Sequence, residues 1–183
     1  MIQWIQGHKW LSPIILASTL FVLFGSLDFI IQGPTALIPA AIFASSLAAS
    51  GRLPQVAVPL IAIASLVEVL LELRPVGSSL ITCATLFIIA VFAKQIWRRV
   101  ALLVSLVSGV AITLYVSFTL PLGTDVYGLR LVDDAGRWTG LLLGLAIVAS
   151  FNTLFWILGR LGATQYFHVG TSRDKAVARR KQA

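Results

Sequence analysis

Three carboxylates stand where carboxylates are expensive: Asp28, Glu68 and Glu72 each lie inside an otherwise apolar stretch of this 183-residue chain. An uncompensated charge in hydrocarbon costs several kcal/mol, so such residues are ion-site or proton-site candidates by default. Glu68 and Glu72 are four residues apart and share one helix face, and Arg74 follows closely. Asp28, Glu68, Glu72 and Arg74 all fall toward the outer ends of their segments, with Glu68 about 7 Å below the boundary at helical rise. Proton-linked exchange or cation sensing is the chemistry they could carry. The structural alternative leaves Glu72 and Arg74 at the interface, with Glu68 paired or protonated. A continuous proton path also needs polar groups on the inner half, where Asn152 is the one candidate.

Other chemistry finds little to rest on. His8 and His168 both lie in flanking segments, so neither is placed to ligate a haem between helices. Cys83 is the only cysteine, which excludes an internal disulfide and a cysteine metal site within one chain. There is no H-E-x-x-H, no glycine-rich phosphate loop and no Ser/His/Asp set. The expectation is a protein without catalytic residues, metal or cofactor. It is not an enzyme on this reading.

The elements that must position these residues are membrane helices. The chain is 58% apolar and only 11% charged, with mean hydropathy +0.93, whereas soluble domains carry about 25% charged residues. About 20 apolar residues cross a bilayer, and six stretches qualify: 11–31, 34–49, 54–73, 79–93, 100–120 and 138–158. The first is too long for a signal-peptide core and lacks a small-residue cleavage site, so it reads as an uncleaved span. The second and fourth are short for a full crossing. Pro39 and Pro59 lie within spans and should kink them.

Charge sets the orientation. Of 14 Lys and Arg residues, 11 fall on one side of the six-span reading and three (Arg74, Arg130, Arg137) on the other. The positive-inside rule therefore predicts an all-α, polytopic helix bundle with both termini in the cytoplasm. The net charge of +7 is explained by that retention and by attraction to anionic lipid, with no nucleic-acid partner. The basic residues offered to lipid or to a partner are Lys94, Arg98 and Arg99 in an inner loop, and Arg179, Arg180 and Lys181 in the tail. Trp4, Trp10, Trp97, Trp138 and Trp156 all fall near span ends, where indole rings prefer to sit.

Three regions follow. Residues 1–10 form an interfacial segment, 11–158 the six-span domain, and 159–183 a basic cytoplasmic tail that is either a surface-attracted end or a helical stalk. The outer loop 121–137 is a connector, a small lid or a partner contact. Small residues at helical spacing, Gly140 and Gly144, Ser105 and Gly109, and Ala40, Ala44 and Ala48, let helices approach closely, within the bundle or against a partner.

Several stretches resemble the membrane domain of actinobacterial sensor histidine kinases. R-L-P at 52–54 is similar to the opening of their third span, A-V-F-A-K-Q-I-W-R-R-V-A-L at 90–102 to their basic inner loop, and W-I-L-G-R-L-G at 156–162 to the end of their last span. The likeness covers residues 10–165. It implies a sensing or docking bundle; the phospho-acceptor histidine and ATP-binding motif are missing, so kinase activity does not carry over. A looser analogy in size and span character is to accessory subunits of actinobacterial cytochrome bcc–aa3 respiratory supercomplexes. Together these point to a non-catalytic accessory or assembly subunit whose partners are other integral membrane subunits. The alternatives are a stand-alone sensory module and a small transporter.

Overall fold

The computed structural model describes residues 11–74, 77, 80–119, 125–126, 129–130 and 134–181. The interfacial segment 1–10 and much of the outer loop therefore lie outside the described residues, as do the side chains of Arg179, Arg180 and Lys181. The chain is helical, with six principal helices and one short β-hairpin among these residues. Helix α1 runs through Leu11–Leu20, a π-helical turn Phe21–Gly25 and Ser26–Gln32; α2 begins as the 3-10 turn Pro34–Ala36 and continues as Leu37–Ser50. Then come α3 (Pro54–Leu70), α4 (Ile81–Phe92), α5 (Gln95–Thr119) and α6 (Asp134–Lys181). Strands β1 (Asp125–Val126) and β2 (Leu129–Arg130) pair antiparallel, with Asp125 opposite Arg130.

Local chemistry explains the boundaries. Gly33 ends α1 at φ +86°, a left-handed conformation that costs glycine little, and Pro34 then opens α2 with its φ already set. Pro54 opens α3 in the same way. Pro39 sits in the first turn of the regular part of α2, where a proline fits, while Pro59 stands in the interior of α3. The α4–α5 link is only Ala93 and Lys94, so these helices form a tight hairpin. Arginines close two helix ends: Arg98 Nη2 donates to Val91 O at 3.3 Å, and Arg137 Nη1 to Phe118 O at 2.8 Å. Cations at carbonyl-rich C-termini are favoured there.

Three segments, Pro13–Gln32, Gln95–Thr119 and Gly136–Thr164, are long and apolar enough to cross a membrane. The helices of the second, third and fourth expected spans are shorter, and α4 has only 12 residues. Its position accounts for that. Ile81, Leu86, Ile89 and Ala90 of α4 are fully buried, against α6, α2 and α5. A helix packed against neighbours along much of its surface can be short, because protein rather than lipid meets most of its backbone. The outer faces are the reverse of a soluble protein's, with Ile30, Leu70, Ile96 and Leu142 all at least 67% exposed. Contiguous apolar surface of this kind suits lipid.

Candidate functional site

Toward the C-terminal end of α1, the π turn inserts one residue and rotates the next segment about the axis. Asp28 and Gln32, one helical turn apart, then share a face. The Gly77 N–H donates to Asp28 Oδ1 at 2.8 Å. Gln32 Nε2 donates to Arg74 O at 2.9 Å, and the Arg74 N–H donates back to Gln32 Oε1. The Gln32 amide thus pairs with the peptide of Arg74 as a neighbouring strand would. These contacts fasten the segment after α3 to α1.

The end of α3 is closed with the same segment. Leu73 N–H donates to Glu68 O, and Glu72 N–H to Val69 O, at 2.9 and 3.2 Å. That six-to-one and five-to-two pair is a Schellman cap. Glu72 occupies its left-handed position at φ +54°, which glycine usually takes. The conformation costs about 1 kcal/mol for a side-chain-bearing residue, and a carboxylate at a helix C-terminus adds an unfavourable dipole term.

The expected acidic group is therefore divided. Asp28 and Glu68 are buried, 1% and 2% exposed, whereas Glu72 and Arg74 are exposed. Glu68 Oε2 receives no hydrogen bond among the described residues, although the carboxyl as a whole is engaged. No three His, Cys, Asp or Glu side chains gather among the described residues into a set that could hold a metal ion. What the arrangement does physically is tie Arg74 and Gly77 to the C-terminal end of α1.

The small residues noted in the sequence lie inside the bundle. Gly140, Gly144 and Ser105 are buried, and a methyl group on Gly109 would collide with Val148 of α6. Gly109 therefore marks a close contact of α5 and α6. Gly159 does the same for α4 and α6: its added Cβ would lie 2.7 Å from both Phe87 O and Ala90 Cβ. Sequence reasoning gave Gly159 no role, although G-R-L-G at 159–162 contains it. Arg98 is committed to the end of α4, and Trp156 Nε1 donates to Arg98 O at 3.2 Å. Lys94 and Arg99 are exposed.

A second locus lies deeper. A cavity of about 250 Å³ opens among α2 to α6, and its polar members include Ser65, Cys83, Ser105, Ser108 and Asn152. Cys83 Sγ donates a weak hydrogen bond to Asn152 Oδ1 at 3.8 Å. Asn152 thus faces an internal space that the sequence did not reveal. No protein-family model, curated protein or solved structure matches the chain.

Proposed function

We propose that the chain is a non-catalytic integral protein of the bacterial plasma membrane, crossing it six times with both termini in the cytoplasm. It works as an accessory or assembly subunit, engaging a partner through the part of α6 that leaves the membrane. The observation that carries this reading is α6 itself. It continues without a break for 48 residues to Lys181, about 72 Å at helical rise. Its apolar segment ends at Thr164, which leaves an arm of about 25 Å beyond the bilayer. That arm includes Arg173, Lys175, Arg179, Arg180 and Lys181, suited to anionic lipid or an acidic partner surface. A respiratory supercomplex of the actinobacterial kind is one concrete setting.

A stand-alone sensory module, like the kinase membrane domains, is the second reading. The internal cavity favours it, because an occupant would bear on α6, the helix that leads out of the membrane.

The arm is the part to remove. Tagged full-length protein and a form ending at Thr164 are solubilised in mild detergent, purified and compared by mass spectrometry and haem absorbance. The full chain is expected to carry a stoichiometric partner that the shortened chain has lost. Cytochrome subunits would assign the accessory role, and a kinase the sensory one. A full-length chain that purifies alone overturns the docking account.

A further inference from the structure

The bundle is hollow at its centre, and the hollow has one hydroxyl to spare. Helix α5 centres on Val107, and the cavity touches Ser105 and Ser108 beside it. The apolar segment Gly136–Thr164 of α6 centres on Ser150, and the cavity touches Asn152 two residues on. The space therefore sits at the mid-depth of both long helices. Most of its lining is apolar, and among the described residues no charged side chain borders it.

Hydroxyls in apolar helices ordinarily satisfy themselves on the carbonyl one turn back. Ser65 donates to Ile61 O, Thr85 to Ile81 O, and Thr113 to Gly109 O, at 2.7–3.0 Å. Ser105 breaks this habit. It is 2% exposed, yet its Oγ has no hydrogen-bond partner among the described residues. A buried polar atom left unsatisfied costs about 1–3 kcal/mol, so it calls for a partner. The cavity that Ser105 lines offers space for that partner.

We infer that this cavity is a binding site for a neutral, mostly apolar small molecule carrying one hydroxyl or carbonyl group. The group would exchange hydrogen bonds with Ser105, and with Asn152 across the cavity. Charge is excluded because nothing in the lining would compensate it. Size follows from volume: an apolar cavity of about 150 Å³ holds benzene, so this one suits a molecule of about ten non-hydrogen atoms. Leu80 and Phe151, both lining and exposed, form a rim on the bundle surface. Such a ligand would enter from the lipid. This site does not depend on the docking arm, and either can fail alone.

The test uses full-length protein in nanodiscs, titrated with 2-naphthol and read by naphthol fluorescence against empty nanodiscs. Saturable binding of one molecule per chain is expected. Ser105→Leu and Asn152→Leu each fill the space and should weaken binding by about tenfold or more, while Ser105→Ala removes only the hydroxyl and should weaken it about threefold. The anion 2-naphthalenesulfonate should not bind. Two filling variants are made, each checked for a wild-type gel-filtration profile, so that one misfolded variant leaves the other to report. Wild-type protein that takes up no more naphthol than empty nanodiscs overturns the assignment, and so does binding that a folded, filled variant retains.

Discussion

Gly159→Ala should open the bundle. The new methyl group would stand 2.7 Å from Phe87 O and 2.7 Å from Ala90 Cβ, and neither atom can rotate out of the way. One is backbone and the other has no side-chain torsion. Helices α4 and α6 must separate, and Ala90 lies in the fully buried face that centres α4 in the bundle. Overpacking a close contact costs about 1–3 kcal/mol, and a clash with rigid backbone belongs at the top of that range. Melting in detergent, followed by helical circular dichroism, should fall by several degrees. Gly109→Ala supplies the comparison. Its obstacle is the Val148 side chain, so Val148→Ala should restore the lost stability. No single truncation at Ala90 should rescue Gly159→Ala, because the Phe87 carbonyl stays. Equal rescue of both would contradict the helix contacts described above.

Asp28→Ala should release Gly77 from the C-terminal end of α1. The Gly77 N–H would lose the acceptor it now finds at 2.8 Å, in a place too buried for water to substitute freely. Leaving such a donor orphaned costs about 1–3 kcal/mol. Hydrogen exchange at Gly77 should accelerate, while exchange in the middle of α4 stays slow. Asp28→Asn keeps an oxygen at the same position and should behave nearly as wild type. If Asn also frees the loop, the carboxylate charge matters for more than this hydrogen bond. That outcome would return Asp28 to the ion-site reading.

The two variants mark the border of what a sequence of this kind discloses. Hydropathy locates six apolar stretches, and six helices stand there, with edges moved by a few residues and α6 extended far past its expected end at residue 158. Helix length and sidedness are harder. A helix buried among helices and one bathed in lipid are both apolar all round, so α4 could not be recognised as the central one from composition. The Asp28–Gly77 bond joins residues 49 apart in sequence, and no local periodicity encodes a contact so remote. Ser105 was visible as a small residue suited to close packing. Its unsatisfied hydroxyl could not be seen until α3, α4 and α6 were placed around it. Glu68 and Glu72 looked alike on one helix face; α3 ends before Glu72 in a Schellman cap, and Glu68 is buried while Glu72 is exposed.

The docking account depends on the side at which α6 leaves the membrane, and the number of crossings decides that side. Six crossings return both termini to the cytoplasm, whereas three, by the long helices alone, would leave them on opposite sides. Single cysteines placed at Gly51, Gly123 and Gln182 in a Cys83→Ala background, probed with a membrane-impermeant maleimide on intact cells, measure this directly. Gly123→Cys should react from outside, and the other two only after permeabilisation. Labelling of Gln182→Cys on intact cells would contradict the six-span bundle, and with it the cytoplasmic arm.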